Sequence, residues 1–235
     1  MKKVVFISPM FNASAHLKDL IESIKEQRNE NWHHVIIDDM STDDSFKLAK
    51  KLTSGDERFT VIKNKEKKYA LKNVVTEARK YQDDPNIIVA NIDADDALCN
   101  ENTVDLLLKE YDDHELDTAW TAHSWDINGM NISGELEENI NPYQSPWRTS
   151  HLKTWRATTL LGVDDENFLD LDGNWFKRGY DQALYLPLLF LSHKRKFIKE
   201  TCYLYRINSK SVQRRIWSEK DQMNTVRLVR ARGFV

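Results

Sequence analysis

The strongest constraint on the fold of this chain is the alternation of short apolar runs with helix-spaced segments over residues 1–112. Residues 4–7 form a continuous apolar run, as expected of a strand buried on both faces. Residues 14–27 then place apolar side chains at helical spacing, with Ser14 predicted as the N-cap. The same alternation predicts strands at 35–37, 59–62 and 87–92 and helices at 43–52, 68–81 and 102–111. Short connections of this kind predict an α/β fold, a mostly parallel twisted sheet with helices on both faces.

Beyond residue 112 the periodicity weakens. We expect a strand at 118–122, a long polar surface loop at 128–147, helices at 151–161 and 181–191, a short closing strand at 202–205 and a final amphipathic helix at 218–230. Pro187 falls inside the second of these helices and is expected to kink or shorten it.

Composition narrows the class of protein. Hydrophobic residues make up 40% of the 235, enough for a sizeable core, and no run approaches the ~18 apolar residues of a membrane span. The start of the chain does not resemble a signal peptide, and two cysteines are too few for a disulfide framework, so a reducing, cytoplasmic setting is expected.

Charge is distributed unevenly along the chain. The formal net charge is −3, yet residues 206–235 carry +6 and the remainder −9. A nucleic-acid-binding protein would more often be basic overall, so we expect no nucleic-acid partner. The basic tail is predicted to pair with the acidic remainder of the chain or to contact a partner domain or a membrane surface peripherally.

Acidic residues follow the second and fourth predicted strands. Asp38 and Asp39 end one strand, and Asp93, Asp95 and Asp96 follow the other. Open parallel sheets bind ligands outside the carboxyl ends of their strands, and carboxylates there suit Mg²⁺ or Mn²⁺ bridged to phosphates. Helix capping and turn formation are the ordinary alternative, above all for the first cluster and its neighbours Ser41 and Asp43.

Two common ligand-binding loops are excluded. Counted from Asp93, the sixth position is Leu98 and the twelfth Val104, which do not fit an EF-hand. No glycine-rich phosphate loop is present either. A metal and basic side chains must therefore hold any phosphates, and the candidates after the third strand are Lys65, Lys67, Lys68 and Lys72.

Several segments together resemble the family 2 glycosyltransferases of GT-A fold. Residues 4–44, including SPMFN (8–12) and IIDDMSTD (36–43), are similar to the start of that family, and DADD (93–96) to its D-x-D metal motif. SHLKTWR (150–156), YDQAL (180–184) followed by PLL (187–189), and LYRIN (204–208) resemble later segments of one bacterial and viral branch. The resemblance covers roughly residues 3–210, with a Rossmann-like nucleotide-binding half at 1–112, an acceptor half at 113–210 and a basic helix or tail at 211–235.

The resemblance implies roles for the matching residues. The nucleotide pocket would contain Pro9, Phe11 and Asn12, with Phe11 packed against the base, Asp39 or Asp38 accepting a uracil N–H, and Lys67 or Lys68 near the base or pyrophosphate. Asp93 would face the ribose and the metal shell, and Asp95 would coordinate Mn²⁺ or Mg²⁺. His151 would complete the metal shell or donate to the diphosphate, unless it is a hydrogen-bonded histidine at the start of a helix.

The implied activity is inverting, metal-dependent transfer of a sugar from a nucleotide sugar, with a UDP-sugar favoured, to a hydroxyl of a glycan or other acceptor. Asp181 would be the general base, unless it only caps a helix, and Trp147 or Trp175 could line the acceptor groove. The alternatives are an inactive nucleotide-sugar- or glycan-binding module and a sugar-nucleotide nucleotidyltransferase. The chain departs from the family at Met40, where glycine is usual, and at 206–208, where N-x-x-N is usual.

Overall fold

The computed structural model describes residues 2–137, 139–207 and 212–235, with only the backbone described over 212–218. The strands are Lys3–Met10 (β1), Trp32–Asp38 (β2), Phe59–Lys63 (β3), Ile87–Asn91 (β4), Ala97–Leu98 (β5), Thr118–Trp125 (β6), Lys153–Arg156 (β7) and Arg195–Tyr205 (β8). The helices are Leu17–Lys25 (α1), Ser45–Leu52 (α2), Tyr69–Ala78 (α3), Thr103–Asp113 (α4), Tyr180–Leu191 (α5) and Val212–Arg232 (α6).

These strands form one sheet in the order β3-β2-β1-β4-β7-β6-β8-β5. Neighbours among β1 to β4 are parallel, as are β6 and β8, whereas β7 is antiparallel to both β4 and β6. The predicted α/β class with a mostly parallel sheet is confirmed. The carboxyl ends of β2 and β4 flank that of β1, so the two acidic clusters lie at one edge of the sheet.

Two hydrophobic cores cover the two faces of the sheet. Val4 and Phe6 pack with residues of α1, α2 and α4, while Val5 and Ile7 pack with residues of α3, α5 and α6. Successive side chains of a strand point to opposite faces, so a continuously apolar strand fills both cores. The first-half elements therefore form where the periodicity predicts them.

In the first half only the short β5 was not predicted, and the larger errors lie in the second half. The predicted helix at 151–161 is wrong: β7 lies there, followed by a 3-10 helix at Ala157–Gly162. Thr154 and Trp155 suit a strand, and their backbone pairs with β4 and β6, which a local pattern does not reveal. The closing strand is longer than predicted, because β8 begins at Arg195 and pairs along the length of β6.

Smaller differences concern helix ends. α1 begins at Leu17 after His16, so Ser14 is not its N-cap. Asp43 accepts hydrogen bonds from the backbone and hydroxyl of Ser45 in the first turn of α2. The last helix extends from 212 to 232 rather than 218 to 230, and Asn208 of the closing motif lies outside the described residues. Among the helices that the structure describes, none combines the length and hydropathy of a membrane span.

Candidate active site

The loop after β4 is held in place by the end of β8. The Tyr203 hydroxyl accepts from the backbone N–H of Asp93 at 3.2 Å and donates to Asp96 Oδ2 at 2.7 Å. The backbone N–H of Arg206 donates to Asp96 Oδ1 at 2.7 Å, and its guanidinium donates to the carbonyl of Asp95 at 3.1 Å. Asp96 is buried, so it fixes the loop while Asp93 and Asp95 remain partly accessible.

The same loop carries strongly perturbed carboxyl groups. Burial raises the pKa of Asp93 to about 7, with further contributions from Asp181 and Asp95 that outweigh the opposing effect of Lys153. Burial and the nearby Asp93 and Asp95 raise the pKa of Asp96 to about 8. Ionising all of these closely spaced carboxyl groups is therefore unfavourable, and a bound cation would compensate their negative charge.

Asp181 reaches the same place from the first turn of α5. Gly179, with a φ of 61°, turns the chain into this helix. Lys153 on β7 donates to Asp181 Oδ1 at 2.6 Å, and the lysine side chain is 1% exposed. The Tyr180 hydroxyl donates to Asp93 Oδ1, which joins the start of α5 to the loop after β4.

His151 lies beside these carboxylates. Its ring stacks on Tyr203 and Tyr205, with centroid distances of 4.6 and 5.1 Å. Ligand atoms of Asp93, His151 and Asp181 lie within 4.8 Å of one another. Two carboxylates and an imidazole form a donor set that Mn²⁺ or Mg²⁺ can accept.

Lys153 limits how His151 can take part in metal binding. Its ammonium lies 3.2 Å from His151 Nδ1. An ammonium can only donate, so Nδ1 is the acceptor and the ring proton lies on Nε2. A metal on Nε2 would move that proton to Nδ1, facing the ammonium. Asp93 therefore fits a cation as it stands, whereas Lys153 occupies one oxygen of Asp181 and must move away before His151 can bind one.

Asp39 organises the edge of the sheet near β2. Oδ1 accepts from Asn64 Nδ2 and the backbone N–H of Lys68, both at 2.8 Å, and Oδ2 accepts from the backbone N–H of Tyr69 at 2.9 Å. Burial alone would raise the pKa of Asp39, but these hydrogen bonds hold it below its usual value. Asp38 is fully buried, and its Oδ2 has no hydrogen-bond partner among the described residues.

The other predicted nucleotide-binding residues surround Asp39. The Lys67 ammonium lies 2.8 Å from the ring centroid of Phe11, whose side chain is 51% exposed, and donates to the Asp39 carbonyl at 3.0 Å. Pro9 is partly exposed at the end of β1. Asn12 Oδ1 accepts from the backbone N–H of Thr42 at 2.8 Å, so this side chain joins the loops after β1 and β2. Lys68 contributes its backbone rather than its ammonium to Asp39.

Sequence reasoning missed three members of the site. Lys153 was hidden by the helix wrongly predicted over it, because only a strand pairing with β4 and β6 carries this side chain inward. Tyr203 and Tyr180 contact Asp93 across 110 and 87 residues of sequence, a separation that local patterns do not span. The adjacent Thr154 and Trp155, residue types enriched in strands, were a signal that could have identified β7.

Comparison with known proteins identifies the family of this chain. The model of the family described as "Glycosyl transferase family 2" matches residues 5–166, more than half of the chain. The chain belongs to glycosyl transferase family 2. The matched range includes the acidic loop after β4 and His151 and Lys153, while α5, β8 and α6 follow it.

Individual relatives are distant. The chain is 25% identical over 234 residues to "Glycosyltransferase GlyA" of Streptococcus pneumoniae, with 93% of the chain covered, and spans about a third (32%) of that protein. The S. aureus TarS 1-349 structure in complex with UDP-GlcNAc matches with a TM-score of 0.70 at 17% identity, covering 89% of this chain and 60% of that one. A mannosyltransferase, PcManGT from Pyrobaculum calidifontis, in complex with GDP-Man and Mn²⁺, matches with a TM-score of 0.63 at 15% identity, covering 96% and 64%. These likenesses establish the GT-A fold.

Proposed function

We propose that this chain is an inverting, metal-dependent glycosyltransferase that moves a sugar from a UDP-sugar to a hydroxyl of a glycan or related acceptor. The observation that carries the proposal is the convergence of Asp93, His151 and Asp181 at the carboxyl edge of the sheet. The three come from the loop after β4, the segment before β7 and the start of α5. Family membership and the nucleotide sugars bound by TarS and PcManGT support it.

The donor would lie between the two acidic regions of this edge. Asp39 would accept the N–H of uracil, and Phe11 would pack against the base after Lys67 has left its face. Lys67 would then be free to approach the pyrophosphate. Asp93 would face the ribose, and Asp95 with Asp93 would hold Mn²⁺ or Mg²⁺. Such a cation, when bound, would neutralise charge developing on the leaving diphosphate.

Asp181 would act as the general base. Its side chain is 28% exposed and borders a cavity, while Lys153 fixes one of its carboxylate oxygens. The acceptor hydroxyl would give its proton to Asp181 as its oxygen bonds to the anomeric carbon, and the bond from that carbon to the diphosphate would break. A single displacement from the opposite side inverts the anomeric configuration.

A thermal-shift panel tests donor and metal together. UDP-, GDP- and dTDP-sugars are compared with and without Mn²⁺, and we expect the largest stabilisation from a UDP-sugar with the metal. Asp95→Ala should remove the metal-dependent part of that shift. Asp83→Ala is the matched control, because this exposed residue precedes β4 at the opposite end of the strand.

Turnover tests the base. Asp181→Asn should bind donor and metal as the wild type does, while transfer falls by about 10²–10⁴-fold. Full activity in this variant would refute the assignment of the base. Binding of the UDP-sugar without any turnover in the wild type, either to water or to an acceptor, would favour an inactive binding module instead.

A further inference from the structure

A cavity of about 180 Å³ opens directly beside Asp181. Trp125, Trp147 and Tyr205 line it, each partly exposed, together with Gln222 and Val226 of α6. The volume lies below the roughly 300–1,000 Å³ of pockets for drug-sized ligands, so it suits a single ring. The proposed nucleotide-binding residues Phe11, Asp39 and Lys67 are not among those lining it.

We infer that this cavity binds the acceptor, and that its occupant is one neutral pyranose ring whose apolar face packs on an indole. This deepens the proposed function and rests on it. A pyranose has a face of C–H groups and a rim of hydroxyls, and the cavity offers aromatic walls and polar groups in the same combination. Asp181, which borders the cavity, is where an acceptor hydroxyl must deliver its proton.

The charges around the cavity favour a neutral ring. Asp181 is paired with Lys153 at 2.6 Å. His123 Nε2 accepts from the Trp125 indole N–H at 3.2 Å, and His151 Nδ1 accepts from Lys153, so both rings act through lone pairs as neutral imidazoles. Among the lining residues that the structure describes, none carries a cationic side chain that would attract a carboxylated or phosphorylated sugar.

Hydrogen bonds fix the walls of the cavity in advance. With Nε2 as acceptor, the His123 proton lies on Nδ1 and donates to Ser133 Oγ at 3.0 Å, and that hydroxyl donates to the His151 carbonyl at 3.3 Å. This series of hydrogen bonds connects Trp125 on β6 to the segment before β7 and thereby fixes the orientation of its indole. Gln182 Oε1 accepts from Arg230 of α6 at 2.6 Å, which leaves its amide N–H groups as the donors for a sugar hydroxyl. Because these side chains are already held in place, binding a ligand costs them less conformational entropy.

α6 lines part of the cavity, although it lies beyond the residues that the family model matches. Gln222 and Val226 lie on this helix, and Gly179 contacts it at the entrance to α5. The part of the chain that decides the acceptor therefore includes the C-terminal helix, whereas the proposed nucleotide-binding residues lie in the first half of the chain.

Acceptor-stimulated turnover of a UDP-sugar tests the inference. Release of UDP is measured first without acceptor and then with p-nitrophenyl pyranosides, neutral ones (glucoside, galactoside, N-acetylglucosaminide) and an anionic one (glucuronide). We expect at least one neutral glycoside to accelerate release, and the glucuronide to have little effect. Trp125→Ala and Trp147→Ala should raise the KM for that glycoside about tenfold or more.

Matched variants separate the cavity from general loss of structure. Trp175→Ala is the control, since this partly exposed tryptophan stacks on Phe168 and does not line the cavity. Trp125→Phe keeps the aromatic face and should recover most of the stimulation. Val226→Phe should fill the cavity and abolish stimulation, whereas Met223→Phe, at an exposed position of the same helix, should not.

The outcomes distinguish the two proposals. Absence of any UDP release would count against the glycosyltransferase activity itself. Hydrolysis without stimulation by any neutral glycoside, stimulation by the glucuronide alone, or stimulation that survives both tryptophan variants would each overturn the acceptor inference while leaving the donor chemistry intact.

Discussion

Met40 adopts a backbone φ of 63° in the turn after β2. A residue with a Cβ atom in this left-handed region costs roughly 1–2 kcal/mol, and glycine avoids that cost. Glycine also loses more conformational freedom on folding, which offsets part of the gain. Met40 is 43% exposed, so its replacement loses little burial. We expect Met40→Gly to raise the free energy of unfolding by about 0.5–1 kcal/mol in urea titrations, whereas an unchanged or lower value would show that the turn is unstrained.

Lys153 is the residue on which the arrangement of the site depends most. Its buried ammonium bonds to Asp181 and His151, and removing one partner of such a pair leaves the other uncompensated. We expect Lys153→Met to lower stability by about 3–5 kcal/mol and kcat for donor hydrolysis by about 10²-fold, with KM for the donor little changed. The kinetic constants kcat and KM are measured well below the melting temperature of the variant.

Two further variants separate positioning from folding. Lys153→Arg retains the charge, so it should recover most of kcat. Lys196→Met removes a partly exposed lysine that pairs with Glu110 and should leave kcat unchanged. If Lys153→Met kept full kcat despite its lower stability, the role of this lysine would be structural alone.

At the scale of elements, the junction of α5 and α6 depends on a glycine. A Cβ at Gly179 would lie 3.0 Å from the carbonyl oxygen of Gln222 and 3.2 Å from Thr225 Cβ. Gly179→Ala therefore adds a clash to the strain of a positive φ, and we expect it to cost roughly 1–3 kcal/mol more than Gly173→Ala. Gly173 has a φ of 78° with nothing within 4 Å, so it measures the strain alone. Equal losses in the free energy of unfolding for the two variants, measured in urea, would mean that α6 adds no clash at this turn.

The basic C-terminal helix is also held by its arginines. Arg230 Nη1 donates to the carbonyls of Tyr143 and Ser145, and Arg232 donates to those of Asn167 and Leu169. These two side chains dock on the chain itself, but not by the predicted pairing with its acidic residues. The partners are backbone oxygens rather than acidic residues, which charge counting does not predict. The division of the chain at residue 210 remains a prediction.

At the scale of the whole molecule, the buried carboxyl groups should make stability depend on pH. The pKa values of Asp93 (about 7) and Asp96 (about 8) lie above their unfolded value near 4, so ionisation is penalised only in the folded state. Their penalty is absent below about pH 4 and complete above about pH 8. Buried His34, His123 and His151 have lowered pKa values and reduce stability as the pH falls below about 6.5.

The ligand-free protein should therefore become more stable as the pH falls from 8.5 to about 7 and less stable below about 6. Asp96→Asn should flatten the alkaline part of this curve because an amide does not ionise, although its NH2 group replaces one of the two oxygens that accept from Tyr203 and Arg206. Melting temperature against pH, in the presence of EDTA, measures both. A curve that rises towards alkaline pH would contradict the assignment.

The sequence by itself determined the parallel part of the sheet (β1 to β4), most of the helices and the acidic loop after β4, because periodicity and strand ends are local properties. Asp93 and Asp181 could be named in advance, since each directly follows a strand or begins a helix. Only the tertiary structure decided that Lys153 lies between Asp181 and His151, that Tyr203 holds the loop and that α6 closes a cavity. These contacts join residues far apart in the chain, and their energies depend on burial and pairing that exist only after folding.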